Sequence, residues 1–523
     1  MTMTLKSYSY RDLVSSESLV TLLVCSTITM VSVVAMLLYT SPEFSWDEAD
    51  YLPETANHWG FLWGGYSYNR HAHGPMAIYL AKIGQEMLPT EVGSLENRSR
   101  FFAALLSSMA VGFLYWTLRH SFRTSRKAAF VGSGLLLFSV IRVEETPIIG
   151  PHHLMLASTL AICGLGYKWR NTPTLQAAFG LGTVMAFGAL SMTYVIPAGL
   201  CWAVAVGMAG KNWIAWDRTH FKVSWSIPIM LAIAAILVVV LWPPGLLHNV
   251  IIREFWDYAH LSLFNSYQSG LVGDRIFEIA PRWTAVYWLA HLDAAILITS
   301  ASIALIALWR AFRRGNVPSK HSYLAVFLAF FLVTALMTLM PGPRYLLEFI
   351  GVLCLATGAL FDEALGWKPF LTRFGSAAVV IAAALNLMLL SRISNYTPST
   401  ATDGYRAFLK DNEKRLRENT KAVVFGLPIL NLYAQEYDTS IVWDAEEADS
   451  TPSAGDVTPG AKYVLIPAFF DYMPAGQPMR RVVDHWKVVW SFTPKHAWEL
   501  RLYQNPHLAE PLLNTARTKI SLR

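Results

Sequence analysis

The stretch Ser45-Trp46-Asp47-Glu48-Ala49-Asp50-Tyr51 sets three carboxylates just past the first long apolar segment. Ionisable groups beside a bilayer are costly to hold, so a cluster there is a candidate functional site. A positioned carboxylate can deprotonate an acceptor hydroxyl while it attacks an electrophilic carbon. If that carbon is the anomeric carbon of a sugar phosphate, the transition state resembles an oxocarbenium ion, which a neighbouring carboxylate also stabilises. The departing phosphate then needs positive charge and donors, which the fork of arginine N–H groups supplies. Asp47 and Glu48 are the candidates for the base. Arg344, in Pro341-Gly342-Pro343-Arg344-Tyr345-Leu346-Leu347, is the candidate for the phosphate. The plain alternative for Arg344 is a side chain snorkelling to the membrane interface.

A second basic group could come from Arg70, His71 or His73 in Asn69-Arg70-His71-Ala72-His73-Gly74-Pro75. His58, His71 and His73 together could hold a divalent metal ion, although their spacing is not diagnostic. Glu144, Glu145, His152 and His153 fall in one expected outside loop and could face the same cavity as substrate or metal contacts. Solvated loop charges are the bland reading. His260, after Trp256-Asp257-Tyr258-Ala259, is a weaker candidate for a phosphate or metal contact.

These residues must be carried by membrane helices. The chain has 523 residues, 54% of them hydrophobic and 15% charged, which is not the composition of an ordinary soluble globule. About eleven stretches are apolar enough to span a bilayer: 19–40, 101–118, 128–141, 154–167, 174–191, 195–209, 225–242, 294–309, 322–340, 346–361 and 376–391. The first is too long for a signal-peptide core and lacks a small-residue cleavage site, so it reads as a retained helix. Lys and Arg collect in alternate connections, including Arg119, Arg123, Arg126, Lys127, Lys168, Arg170, Arg310, Arg313, Arg314 and Lys320. Basic residues accumulate on the cytoplasmic side, which places the N-terminus inside. An odd helix count then puts everything after 391 outside.

The formal charge of +6 is used largely on these loops, so it gives no case for nucleic-acid binding. Cys25, Cys163, Cys201 and Cys354 lie in expected spans without paired spacing, which argues against disulfides and a zinc site. The absence of cysteine outside favours a bacterial cytoplasmic membrane. No Walker loop, GxGxxG or HExxH occurs. Three outside segments exceed simple connectors: 41–100, 243–293 and the tail 392–523. In the first, Ala49 to Trp59 and Pro75 to Met87 read as interfacial helices. The second is rich in Trp and Tyr, as in an aromatic belt or a sugar or lipid groove. The tail reads as a soluble α/β domain. Its helix falls at 402–418 and its strands at 421–426, 440–443, 462–466, 487–492 and 498–503.

In this order the pieces resemble the GT-C superfamily of polyprenyl-phosphate-sugar glycosyltransferases. The nearest branch holds the protein O-mannosyltransferases and the aminoarabinose transferase of lipid A, glycosyltransferase family 39. The resemblance spans about 41 to 350. Asp47, Glu48 and Tyr51 match its acidic motif after the first helix. His73-Gly74-Pro75-Met76, with Tyr79, matches an altered His-Pro-Pro-Leu motif. Arg98 or Arg100 matches an Arg opening the second helix. Pro281, Trp283 and Tyr287 match a Pro-x-Trp-Tyr-Tyr segment, and Arg344 to Leu347 match Arg-Tyr-Leu-Leu-Pro. The chain departs from the pattern at Gly74, which breaks the proline doublet, and at Glu348, which replaces a proline. His152 and His153 stand where some relatives carry an acid, and Ser191-Met192-Thr193-Tyr194 replaces a basic residue.

The resemblance implies a GT-C membrane domain over 1–391 with an extracytoplasmic tail domain. It implies an inverting transfer of a sugar from undecaprenyl or dolichyl phosphate to a glycan, lipid or protein hydroxyl on the outer face. Asp47 would be the base and Glu48 its support. Arg344, Tyr345, His73 and Arg70 would bind the donor phosphate. Tyr51, His260, Glu145 and His152 would contact substrate or a metal. The rival class is a transporter or flippase, which would place polar residues near the midplane and break helices in pairs. A binding or assembly role would require the acidic motif to be idle.

Overall fold

A computed structural model of the chain describes residues 16–38, 75–145, 150–171, 174–191, 198–200, 202–203, 218–247, 249, 251–253, 255–256, 260, 270–272, 275–277, 283–315, 319–337, 343–365, 369–393, 404–416, 422–424, 462–468, 483–493 and 499–507. Long apolar runs become helices because the bilayer leaves backbone N–H and C=O groups no other partner. In chain order these are α1 (Ser16–Leu38), α2 (Met76–Met87), α3 (Leu95–His120), α4 (Arg126–Leu137), α5 (Val140–Glu145), α6 (His152–Asn171), α7 (Leu175–Ser191), α8 (Arg218–Leu241) and α9 (Pro243–Leu247). A short antiparallel pair, β1 (Gly270–Val272) and β2 (Arg275–Phe277), follows. Then come α10 (Thr284–Leu292), α11 (Ala294–Arg313), α12 (Ser319–Met337), a 3-10 turn Pro343–Leu346 leading into α13 (Leu347–Leu365), and α14 (Pro369–Ile393).

Helices lie across every expected span except 195–209, of which only 198–200 and 202–203 are described. Among the described residues, Leu95–His120, Ala294–Arg313 and Pro343–Leu365 are long and apolar enough to cross a membrane, with shorter apolar stretches at Leu19–Val34, Leu175–Ser191, Ser226–Leu241, Lys320–Leu336 and Gly375–Asn386. Large apolar side chains point outward, among them Leu22, Leu23 and Met30 on α1, Ile298, Leu305 and Phe312 on α11, and Val380, Ile381 and Met388 on α14. Such faces belong against lipid, and the chain is an integral membrane protein.

The core is built around α13, buried along nearly all its length and packed by α4, α6, α11 and α12. Lipid gives no hydrophobic drive between helices, so close approach of small residues carries much of the packing. Gly132 of α4 and Gly358 of α13 make the crossing: a Cβ on Gly132 would stand 2.8 Å from the Cys354 carbonyl oxygen and 3.3 Å from the Gly358 Cα. The early helices are tied by polar ends. Ser94 caps α3 by accepting from the Asn97 N–H at 3.4 Å, and Arg98 donates to the Gln85 and Leu88 carbonyls at 3.0 and 3.3 Å, closing the end of α2.

The expected span 128–141 is not one helix. It breaks after Leu137 and restarts as α5, because Asp293 caps the Val140 and Ile141 N–H groups and Arg142 donates to the freed Leu136 and Leu137 carbonyls. His152 and His153 likewise open α6 and are buried, rather than lying in a solvated loop. Pro75 to Met87 is helical from Met76, as expected, while Ala49 to Trp59 lies outside the described residues.

At the far end of α13, Glu363 pairs with Lys320 and with His321 at 2.5 Å, and Arg310 donates to its carbonyl at 2.8 Å. The basic residues that suggested topology thus fasten α11, α12 and α13 at one end of the helical unit.

The described residues of a second compact unit all lie after Thr397. It holds α15 (Tyr405–Leu416) and strands β3 (Ala422–Val424), β4 (Tyr463–Pro467), β5 (Lys487–Phe492) and β6 (Leu500–Gln504), in sheet order β3-β4-β6-β5. β3 runs parallel to β4, and the other pairs are antiparallel. Phe408 of α15 is fully buried with its ring 5.4 Å from Trp490, whose indole N–H donates to Asp411 at 3.2 Å. The described strands fall at 422–424, 463–467, 487–492 and 500–504, beside expected positions 421–426, 462–466, 487–492 and 498–503, and 440–443 lies outside the described residues.

Candidate functional site

The Arg344 turn is where separate parts of the helical unit meet. Pro343–Leu346 runs into α13 and also packs against α5, α10 and α12. Arg344 and Tyr345 are half-buried on it. The Arg344 guanidinium lies 5.2 Å from the centre of the Tyr345 ring, and its Nη2 donates to the Tyr345 hydroxyl at 3.4 Å. A cation beside an aromatic face is attracted to it, which holds the guanidinium on the turn.

His152 completes the group from α6. Its ring meets Tyr345 edge to face at 5.2 Å, and its Nδ1 stands 3.9 Å from Oε1 of Glu348 in the first turn of α13. His152, His153 and Glu348 are all buried, and Glu348 Oε1 has no hydrogen-bond partner among the described residues. α6 begins at His152 because the Met155 N–H closes back on the Pro151 carbonyl at 2.9 Å. The N-termini of α6 and α13 therefore lie together, and their dipoles add positive potential beside Arg344. Such a place favours an anion with oxygens to spread over several donors. Glu348 opposes it in charge but offers an acceptor for a hydroxyl.

α10 supplies aromatic surface next to the same turn. Trp283 and Tyr287 are 6.2 Å apart edge to face, and Tyr287 stacks on His291 at 4.6 Å. In α2, Tyr79 donates to the Leu241 carbonyl at 3.1 Å and burial pushes its hydroxyl above the usual tyrosine range, so it acts as a neutral tie to α8.

Of the residues expected from sequence, Arg344, Tyr345 and His152 come together. Glu145 ends α5, the helix packed on the Arg344 turn. His260 is exposed and is not in the group. Asp47, Glu48, Tyr51, Arg70 and His73, with His58 and His71, lie outside the described residues. Arg98 half-buries to cap α2, and Arg100 is 2% exposed inside α3. Among the described residues no group of three or more His, Cys, Asp or Glu side chains is placed to hold a metal ion. Glu348 joins the group although the sequence marked it only as a departure from a motif. Arg142 and Asp293 were passed over; the available signal was a lone charge of opposite sign at the edge of each of two apolar spans.

No protein-family model matches the chain, and no curated protein matches its sequence. Solved structures do match its fold. The archaeal oligosaccharyltransferase AglB from Archaeoglobus fulgidus, in complex with an inhibitory peptide and a dolichol-phosphate, aligns with TM-score 0.54 at 10% identity over 94% of this chain and 75% of its own. ArnT from Cupriavidus metallidurans, bound to undecaprenyl phosphate, aligns with TM-score 0.54 at 12% identity over 95% of this chain and 100% of its own. The chain shares the fold of these two structures.

Proposed function

We propose that the chain is an inverting glycosyltransferase that moves a sugar from a polyprenyl-phosphate carrier to a hydroxyl acceptor on the outer face of a bacterial cytoplasmic membrane. The observation that carries this is the Arg344 turn: a guanidinium, two helix N-termini, a tyrosine and a histidine gathered at one helix end. The fold adds support, because two proteins that share it are described with dolichol-phosphate and undecaprenyl phosphate.

In this reading Arg344 takes the phosphate oxygens as the glycosidic bond lengthens, with Tyr345 fixing the guanidinium. His152 donates a further hydrogen bond. Phosphate is already a good leaving group, so charge balance matters more than a strong acid. Glu348 accepts from a sugar hydroxyl or amino group. Asp47 removes the acceptor proton, with Glu48 beside it, and attack from the face opposite the phosphate inverts the anomeric centre. Arg70 and His73 assist at the phosphate, and Tyr51 and Glu145 contact substrate. Tyr287 and Trp283 offer ring faces to sugar or prenyl groups.

The two ends of α13 support the proposed sidedness. Glu348 and Glu363 are separated by about 22 Å at 1.5 Å per residue, so the Arg344 turn and the Lys320–Arg310 cluster sit at opposite ends of one helix. With the basic end cytoplasmic, the turn faces outward. The acceptor class is a glycan, a lipid or a protein. Purified protein in nanodiscs, offered polyprenyl phosphates carrying different hexoses and pentoses together with glycan, lipid and protein hydroxyl acceptors, should release free polyprenyl phosphate from one donor as its sugar passes to one acceptor, and lose this with Arg344→Ala. No release from any donor would remove the proposal.

A further inference from the structure

Two buried charges hold the break between α4 and α5. Asp293 is fully buried. Its carboxylate accepts from Ser139 Oγ at 2.7 Å, the Val140 N–H at 2.9 Å, the Ile141 N–H at 3.3 Å and Asn386 Nδ2 at 3.1 Å. Asn386 also donates to the Phe138 carbonyl at 2.9 Å. Arg142, equally buried, donates to the Leu136 and Leu137 carbonyls at 2.8 Å each and to Ser32 Oγ at 3.0 Å. One charge thus caps the start of α5 and the other the end of α4.

Asp293 is also a corner of the backbone. Its N–H closes α10 on the Leu289 carbonyl at 3.1 Å, and its own carbonyl receives the Leu297 N–H at 2.9 Å to begin α11. A single residue therefore joins α5, α10, α11 and, through Asn386, α14. Two of these, α5 and α10, pack directly on the Arg344 turn. Burying charge is a poor way to gain stability, since apolar packing of similar shape does as well or better; what a fully hydrogen-bonded charge specifies is one geometry.

We propose that Asp293 is a positioning residue whose carboxylate fixes α5 and α10 against the Arg344 turn, and so sets the guanidinium for an anionic polyprenyl-phosphate headgroup. Asp293 touches no substrate; it acts through the two helices. Asn at this position would bring an amide N–H₂ against the Ser139 hydroxyl and the Ile141 N–H in one orientation, or against the Val140 N–H and the Asn386 amide in the other, so one helix would lose its register on the turn. The proposal rests on the donor-phosphate reading given above.

The test uses the full chain in nanodiscs, with undecaprenyl phosphate as the probe and tryptophan fluorescence as the readout, for the wild type, Arg344→Ala, Asp293→Asn and the double variant. Affinity is expected to fall roughly tenfold in Asp293→Asn, and the double variant is expected to bind no more weakly than Arg344→Ala alone. Unchanged affinity in Asp293→Asn beside a weakened Arg344→Ala, or additive losses in the double variant, overturns the positioning role only. Unchanged affinity in Arg344→Ala overturns the donor-phosphate reading and the proposal together. Should Asp293→Asn fail to fold, Ser139→Ala, which removes one of the four carboxylate bonds, is read by the same outcomes.

Discussion

The His152 imidazole stands 3.9 Å from the Glu348 carboxylate, although one opens α6 and the other lies in the first turn of α13. The pair marks the place where two helix N-termini, a tyrosine and Arg344 converge. At this separation the two are neighbours rather than hydrogen-bonded partners.

Arg344 should be the most sensitive described residue. Arg344→Ala is expected to lower donor kcat/KM by about 10²- to 10³-fold, the usual effect of removing one donor to a developing negative charge. Arg344→Lys should recover only part of that, because an ammonium cannot present two N–H groups in one plane. Steady-state kinetics with varied donor and saturating acceptor separates these outcomes.

Glu348→Gln keeps the shape of the side chain and an acceptor oxygen while removing charge from beside Arg344. Donor binding should hold or tighten and the preference among donor sugars should change, because the contact assigned to Glu348 is with the sugar. Competition assays between two polyprenyl-phosphate sugars read this as a ratio. An unaltered ratio removes Glu348 from sugar selection.

The apolar framework of this fold is written in the chain as runs of hydrophobic residues, and helices follow those runs from Ser16–Leu38 to Pro369–Ile393. Arg344 could be read as a site residue because a lone cation at the end of a span has few structural excuses. The break at Phe138-Ser139 could not, because hydropathy continues across it; its causes are Asp293 and Asn386, 154 and 248 residues away from their partners at the break. His152 and His153 read as loop residues because the expected apolar span begins only at 154. Pro151 in fact supplies the carbonyl that starts α6.

The Gly132–Gly358 crossing should tolerate no larger side chain. Gly358→Val puts a branched group against the Ala128 carbonyl oxygen, which a Cβ alone would approach to 3.0 Å. Overpacking of this kind costs about 1–3 kcal/mol. Thermal unfolding in detergent should show a lowered midpoint for Gly358→Val, while Gly134→Ala, where a Cβ meets nothing within 4 Å, should leave the midpoint in place.

Phe408→Ala in the second unit should remove a fully buried ring from beneath Trp490. The loss is expected near 3–5 kcal/mol, local to that unit, and visible as faster proteolysis after Thr397 with the helical unit left intact. Proteolysis at the wild-type rate would contradict the packing described for α15.

The account turns on Asp47 as the base for a sugar transfer from a polyprenyl-phosphate donor. The decisive measurement is the initial rate of polyprenyl phosphate release by the purified full chain in nanodiscs, with the donor found active for the wild type, compared with Asp47→Asn at matched abundance and melting temperature. Loss of proton removal is expected to slow release by about 10²- to 10⁴-fold while undecaprenyl phosphate still binds. Release by Asp47→Asn at the wild-type rate would contradict the account.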